Sequence, residues 1–556
     1  STVVLKSLAG IKRDGTKFEG DFYTDGQWVR FQRGLPRKIG GYRSINKYLT
    51  EISRGFNSFT QQSLQYCHSG GASTVERFTI DSSKNSSIIS SRTPVGVGAT
   101  GTVTLTTGGA GSVDSVTVNG VTVTSGSVAF ITDLPTTATA VAANITAFTS
   151  TPNYSAVAVG AVITITAATV GQATNGFVVV ASTTIITSTV TNMVGGLDAL
   201  TSSVYNQWMF QTSYDASTTD NSLIAHVAPN LGCVCNDTGG QIFFGDILGT
   251  GALIEIPIPA GANATGGIVM MFPYLMYYGT AGVVGWSIPG TPSDLSGAGS
   301  GIARVWGQKI VKGMPLRAGS GTAPAGIFWA YDAVIRATFT GGATIFQFDI
   351  IATDTSIMSP DSIVDYDGMF FWAGDDATEC THAVVYNVRE QTWYDTELPS
   401  SGRASGGYNN GFAAPLLTDC IPTSSGYRVW IHEQGVDEID GQVASPIESY
   451  FETADLSSLA QGKNEYVRIT TIEPDFLQNG PMTVQVTGRA NARAPEVYSS
   501  EFIFPESAVE PHEQIVMLKE QRRELRVRFE SNAVGGDYQM GQIIGHVDSG
   551  DRTVLG

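Results

Sequence analysis

Residues able to do chemistry are few and scattered in this chain of 556 residues. Cys380 and His382 stand two apart, and on a strand such residues share a face, so they could form a thiol–imidazole dyad or half a metal site. Cys233 and Cys235 repeat that spacing without a second pair, whereas a structural zinc site takes four ligands. Asp361, Asp365, Asp367, Asp375 and Asp376 crowd one stretch, and Asp365-Tyr-Asp367-Gly368 has the composition of a calcium loop or of glycosidase carboxylates. A hairpin turn accounts for the same residues, since Asp bonds local backbone and Gly accepts positive φ. His68, His226, His382, His432, His512 and His546 have no second His three or four residues away, and no GxSxG, Walker, HExxH or CxxC motif occurs. The expectation is strand interiors and turns, with no metal, no cofactor and no catalytic residue.

A different chemistry is concentrated at Asp25–Arg43, DGQWVRFQRGLPRKIGGYR. Here Arg30, Arg33, Arg37, Lys38 and Arg43 lie among Trp28, Phe31 and Tyr42, with Gly34, Pro36, Gly40 and Gly41 marking turns. Arginine with aromatics is the composition of interface anchors, and such aromatics are costly to leave in water. All eight are expected to form an assembly interface, the alternative being an exposed solubilising arm. Charge reversal of Arg30, Arg33 and Arg37 together is expected to weaken assembly.

The elements that must position these residues are mainly strands. Val/Ile/Thr/aromatic runs bounded by Gly, Asp and Ser recur, while helical periodicity is nearly absent. GIFWAYDAVIRATF (326–339), GMFFWAGDDATE (368–379) and GYRVWIHEQGVDE (426–438) share one plan, an aromatic strand, a polar turn and a second strand; VVYNVREQTWYDTEL (384–398) is related. Such repeats suggest the blades of a β-propeller. Thr93–Leu197 has its own Thr/Val/Ala/Gly texture, an Asn119–Gly120 turn and a helix candidate at Thr136–Ser150, and reads as an inserted Ig-like β-sandwich module. After Ser445 the alternation of ELRVRFE sets Leu525, Val527 and Phe529 on one face and Arg526 and Arg528 on the other, as in a half-buried antiparallel sandwich. The expected organisation is an N-terminal arm with first strands (1–53), a propeller (54–92 and 199–445), the insert (93–198) and a C-terminal sandwich (446–556). The uncharged run Gly266–Gly290 reads as strand (IVMMFPYLMYY), turn (GTAG) and strand (VVGWSI) rather than a membrane span.

The net charge of −18 is unevenly placed. Residues 1–92 carry +7, residues 93–303 carry −9 with no Lys or Arg, and residues 304–556 carry −16. A protein gripping DNA phosphates would show a net basic footprint, whereas an acidic surface either suits a wall past which DNA slides or simply keeps a large protein soluble. Five cysteines argue against a disulfide scaffold and for a reducing compartment. The N-terminus lacks a long apolar signal core, and Ser1 is what removal of an initiator Met would leave.

Three stretches, in this order, resemble the tail-hub family of short-tailed bacteriophages, also called nozzle or packaged-DNA stabilisation proteins. They are VRFQRGLPRKIGGYR, the blade series with FWAG after an Asp-Gly turn, and PIESYFETADLSS followed by RRELRVRFESNAVGGDYQMGQIIGHVDSGDR. The resemblance implies a propeller with an additional β domain, assembled as a homohexamer below the portal and adaptor rings. Such a ring extends the DNA channel and holds the packaged genome until ejection. Its neighbours would be the portal–adaptor above and needle, fibre or spike proteins below or outside, with DNA passing transiently. It would be made in the bacterial cytoplasm and reside in the virion tail. The family offers no catalytic residues to carry over, so the chain is expected not to be an enzyme. The insert departs from smaller members and suits an outward decoration or a fibre contact. The alternative is a receptor- or glycan-binding phage tail protein, with an enzyme acting on cell-surface polysaccharide a further rival.

Overall fold

A computed structural model describes residues 2–13, 21–218, 220–231, 234–235, 239–316, 324–342, 344–354, 369–373, 382–387, 392–398, 402–409, 412–456, 466–491, 493–506 and 515–550. The chain is mainly β and divides into two compact units, Ser1–Ser69 with Phe78–Ile89 and Ile357–Gly556, and Gly70–Arg77 with Ser90–Ser356.

In the first unit two sheets enclose an aromatic core. One carries Thr2–Val4, Ile544–Ser549, Val467–Glu473, Val516–Ser531, Ser449–Glu452 and Asp25–Gln27 in that order, with Met482–Arg489 branching from the long Val516–Ser531 and two short strands pairing with Met482–Arg489 in turn. The other runs Phe476–Asn479, Asp537–Met540, Leu35–Lys38, Val29–Gln32. The alternation in ELRVRFE is realised: Leu525, Val527 and Phe529 are fully buried against Phe451, Val484 and Val486. Its opposite face is not simply wet, because Arg526 is buried between Glu452 (3.0 Å) and Glu496 (2.6 Å). This is the antiparallel sandwich, and the N-terminal segment supplies part of both sheets.

Blade-like antiparallel meanders make up most of the rest. Asn206–Asp215 pairs with Asp220–Leu231, then Gln241–Asp246 and Ile254–Glu255; Gly267–Met271, Tyr274–Tyr278, Val283–Trp286 and Gly301–Arg304 follow; Ile310–Pro315, Ala325–Ala330, Ala333–Phe339 and Phe346–Thr353 form the third. Elsewhere Phe56–Gln61 and Leu64–Gly70 lead into Val75–Ile80, and Met369–Ala373, His382–Asn387 and Thr392–Glu397 form a three-stranded sheet. The last meander, Ser405–Asn409, Phe412–Thr418 and Tyr427–His432, is completed by Tyr42–Leu49 from the start of the chain. Sheets of this kind, built from successive hairpins, have the form of propeller blades.

The run at 266–290 differs from expectation. IVMMFPYLMYY is not one strand but a hairpin, with Gly267–Met271 returning through Phe272–Pro273 into Tyr274–Tyr278. Proline cannot donate to a ladder, so it ends the first strand. Among the described residues no helix is long and apolar enough to cross a membrane.

The insert folds as two four-stranded sheets and one helix around its own core of Val103, Val116, Val118, Val141, Ile145, Ile163 and Ile165. Asn119 and Gly120 both take positive φ (49° and 79°), as a two-residue turn requires, and Val118 pairs with Val121 across it. The helix spans Leu134–Ala147, starting earlier than expected because Asp133 caps it by accepting from the Thr136 N–H (2.7 Å). Val97 and Leu197 exchange two backbone hydrogen bonds (2.9 and 3.0 Å), bringing the insert's ends together. Excising residues 98–196 through a short Gly linker should therefore leave the remainder folded. The cost is about 1–3 kcal/mol, since buried Glu255 loses the Gln172 amide (3.0 Å). The isolated module should melt cooperatively by circular dichroism; an unfolded module would show that its core is not self-sufficient.

Candidate functional site

At Trp28 the chain leaves one sheet of the sandwich, at Asp25–Gln27, and enters the other, at Val29–Gln32. That corner is left-handed (φ 51°), a conformation a bulky residue adopts only when its surroundings hold it there. The Trp28 N–H donates to Thr396 Oγ1 (2.8 Å), and its carbonyl accepts from Ser449 Oγ (2.8 Å) and the Ile39 N–H (3.1 Å). The indole, so aimed, meets the edge of Tyr42 (centroids 5.7 Å) and donates from Nε1 to the Gly40 carbonyl (3.2 Å).

Above this corner lies a cleft of about 430 Å³ lined by Gln27, Trp28, Tyr42, Glu397, Leu398, Pro446, Ile447, Glu448, Tyr450 and Arg528. Its floor is apolar, formed by buried Trp28, Tyr42, Leu398 and Ile447. Its mouth carries two exposed carboxylates, Glu397 and Glu448. Gln27 fixes the backbone of Glu397, accepting from its N–H (2.9 Å) and donating to its carbonyl (3.1 Å). Arg528 lies over the Tyr450 ring (3.5 Å to the centroid) and divides one nitrogen between Glu448 (3.1 Å) and Glu530 (2.8 Å). Desolvation and the nearby Glu530 push the Glu448 carboxyl up, against the pull of Arg528, and Glu397 adds to the push. Burial raises the Tyr450 phenol to about 12. Two acids and one cation thus line the cleft, the cation being shared with Glu530 outside it.

Beneath Tyr42 sits a buried ionic cluster. Asp419, fully buried, accepts from Arg428 Nε (2.8 Å), Arg403 Nη1 (3.3 Å) and Trp430 Nε1 (2.6 Å). Arg403 lies over both Tyr42 (5.1 Å) and Trp430 (5.4 Å) and donates from Nε to His432 Nε2 (3.2 Å). That nitrogen must be bare, and burial, then Arg403, holds His432 well below the ordinary histidine range. Tyr42 donates to Glu438 Oε2 (2.9 Å).

Of the eight residues expected to anchor an interface, four need correction. Trp28, Phe31, Lys38 and Tyr42 are buried within the chain itself. Phe31 joins Tyr23 and Tyr394 in the sandwich core, and Lys38 Nζ donates to the Gly536 carbonyl (2.7 Å). The physical reason is that both faces of the 25–43 strands are covered by segments some 350–500 residues downstream. Arg30 is committed too, pairing with Glu433 (3.0 Å). Arg33 and Arg43 are exposed and Arg37 partly so. Arg33 and Gly34 (φ 54° and 75°) form the two-residue turn of the hairpin Val29–Gln32/Leu35–Lys38.

Cys233, Asp361, Asp365, Asp367, Asp375, Asp376 and Cys380 lie outside the described residues. His382 is exposed beside the cleft, its Nε2 3.8 Å from Glu397 Oε1. Sequence reasoning missed Glu397, Glu448, Tyr450 and Arg528. They fall within DTEL, PIESY and RVRFE, stretches that read as strand texture or as parts of the hub-like ending, with no site role given to these side chains.

No family model and no curated protein matches the chain. Among solved structures it is similar to a variant fructofuranosidase from Schwanniomyces occidentalis complexed with fructosylnystose. The identity is 8%, over 69% of this chain and 90% of that one, with a TM-score of 0.18. That protein is an enzyme, so the expectation that the present chain is not one is withdrawn. A likeness at that score carries no argument for any particular activity.

Proposed function

We propose that the chain is a tail-hub or nozzle subunit of a short-tailed bacteriophage, assembling as a ring of six in the virion tail. Below the portal–adaptor the ring extends the DNA channel, retains the packaged genome and lets it pass at ejection, with needle, fibre or spike proteins as its outer neighbours. The order of the three hub-like stretches carries this reading. The first and the last of them build one body, since Leu35–Lys38 pairs with Asp537–Met540 and Asp25–Gln27 with Ser449–Glu452. The acidity of residues 93–556 supports it as well, because a like-charged wall does not hold DNA. Electron microscopy of the protein alone and with a portal–adaptor complex tests it. Six-fold rings that add to the complex are expected; a monomer that ignores the complex and binds host cells would overturn it.

A further inference from the structure

We infer that the cleft over Trp28 receives the arginine-bearing hairpin tip of a second copy of this chain, Glu397 and Glu448 of one copy holding Arg33 and Arg37 of the next. This deepens the hub reading and rests on it.

The cleft selects its occupant by chemistry. An anion is repelled by Glu397 and Glu448, the two acids of the lining, while Arg528, its one cation, is already paired with Glu448 and Glu530. A purely apolar ligand would strip water from the two mouth carboxylates without replacing their hydrogen bonds. A guanidinium side chain satisfies both parts, its aliphatic stem lying on Leu398, Ile447 and the Trp28 edge and its head forked toward the carboxylates.

The chain's basic surplus is confined to residues 1–92, and within it the 29–38 hairpin presents Arg33 at an exposed tip. Its two-residue turn and paired strands fix that tip in advance, which lowers the ordering cost of docking. The strand Val29–Gln32 carries the tip roughly 13 Å beyond Trp28 at about 3.3 Å per residue, and neither Arg33 nor Arg37 lines the cleft of its own copy. Donor and acceptor are different surfaces of one chain. Contacts of that type run head to tail, and they close into a ring when the rotation between copies closes.

Two charge-reversed variants of the full chain test this, Glu397→Lys with Glu448→Lys, and Arg33→Asp with Arg37→Glu. Asp is chosen at 33 because it tolerates positive φ. Each alone should lose at least ten-fold in ring yield by mass photometry at pH 7.5, with an unchanged melting temperature. Mixed one to one, they should regain rings, because each altered surface meets its complement. The milder Glu397→Gln with Glu448→Gln should lose yield in a salt-dependent way, and it carries the test if the lysine variant does not fold. Rings that persist in the folded variants, or that fail to return on mixing, would overturn the inference while leaving the hub reading intact. A wild-type chain that forms no ring, alone or with portal–adaptor, would defeat the hub reading and this occupant together.

Discussion

Replacing Asp419 with alanine should destabilise the unit that contains it by about 3–5 kcal/mol, the cost of removing one partner from a buried ion pair. The carboxylate has no water to fall back on, being 0% exposed, and three donors converge on it. Arg403, itself 1% exposed, would keep its charge in an apolar setting between Tyr42 and Trp430. Denaturant midpoints of the first unit's transition measure the effect. Asp440→Asn serves as the comparison, since Asp440 pairs with the same Arg428 but is 38% exposed and should cost below about 1 kcal/mol. Equal, small losses for both would mean that the cluster does not hold the last blade together.

The second large effect is a loss of stability in mild acid. His226 Nε2 donates to the Ala264 carbonyl (2.5 Å), while Nδ1 is buried with no hydrogen-bond partner among the described residues. Desolvation lowers its pKa to about 4; the carbonyl opposes this and Lys309 reinforces it. The folded protein therefore holds this ring neutral over a range where the unfolded chain, near 6.5, takes a proton. Its contribution is present above about pH 6.5 and is lost as pH falls toward 4, about 3 kcal/mol in all. His432, lowered for the same reason, adds in the same direction in the other unit. Glu255 and Glu448 act oppositely, since carboxyls raised by burial are relieved on protonation as pH falls. Melting temperatures from pH 7.5 to 4.5 should thus fall for the wild type and fall less for His226→Gln. Parallel curves would show that the buried imidazole does not govern the acid limb.

Local pattern made much of the fold readable. The 525–529 alternation, the Asn119–Gly120 turn and the aromatic strands around Trp329 and Trp430 are short-range signals, set by strand period and turn chemistry. The site was less readable because its parts are remote in sequence. Trp28 is held by Thr396 and Ser449, Arg30 by Glu433 and Tyr42 by Glu438, and nothing within 25–43 announces those partners. Composition alone made the aromatics look like surface anchors, whereas distant strands cover them. The Phe272–Pro273 turn was missed for another reason. The apolar run is unbroken on both sides, and only the missing proline donor marks the reversal.

The strand Tyr42–Leu49 is synthesised well before its antiparallel neighbour Tyr427–His432, which comes roughly 380 residues later. At about 5–20 residues per second a ribosome needs roughly 20–75 s to deliver that neighbour. Over this interval a strand with a buried-type face and unpaired backbone groups has no mate from its own blade, the condition under which nascent edges find wrong partners. Completing the last meander with a strand made so much earlier therefore makes late synthesis the step that commits the chain. A polypeptide cut short before residue 427 retains that open edge.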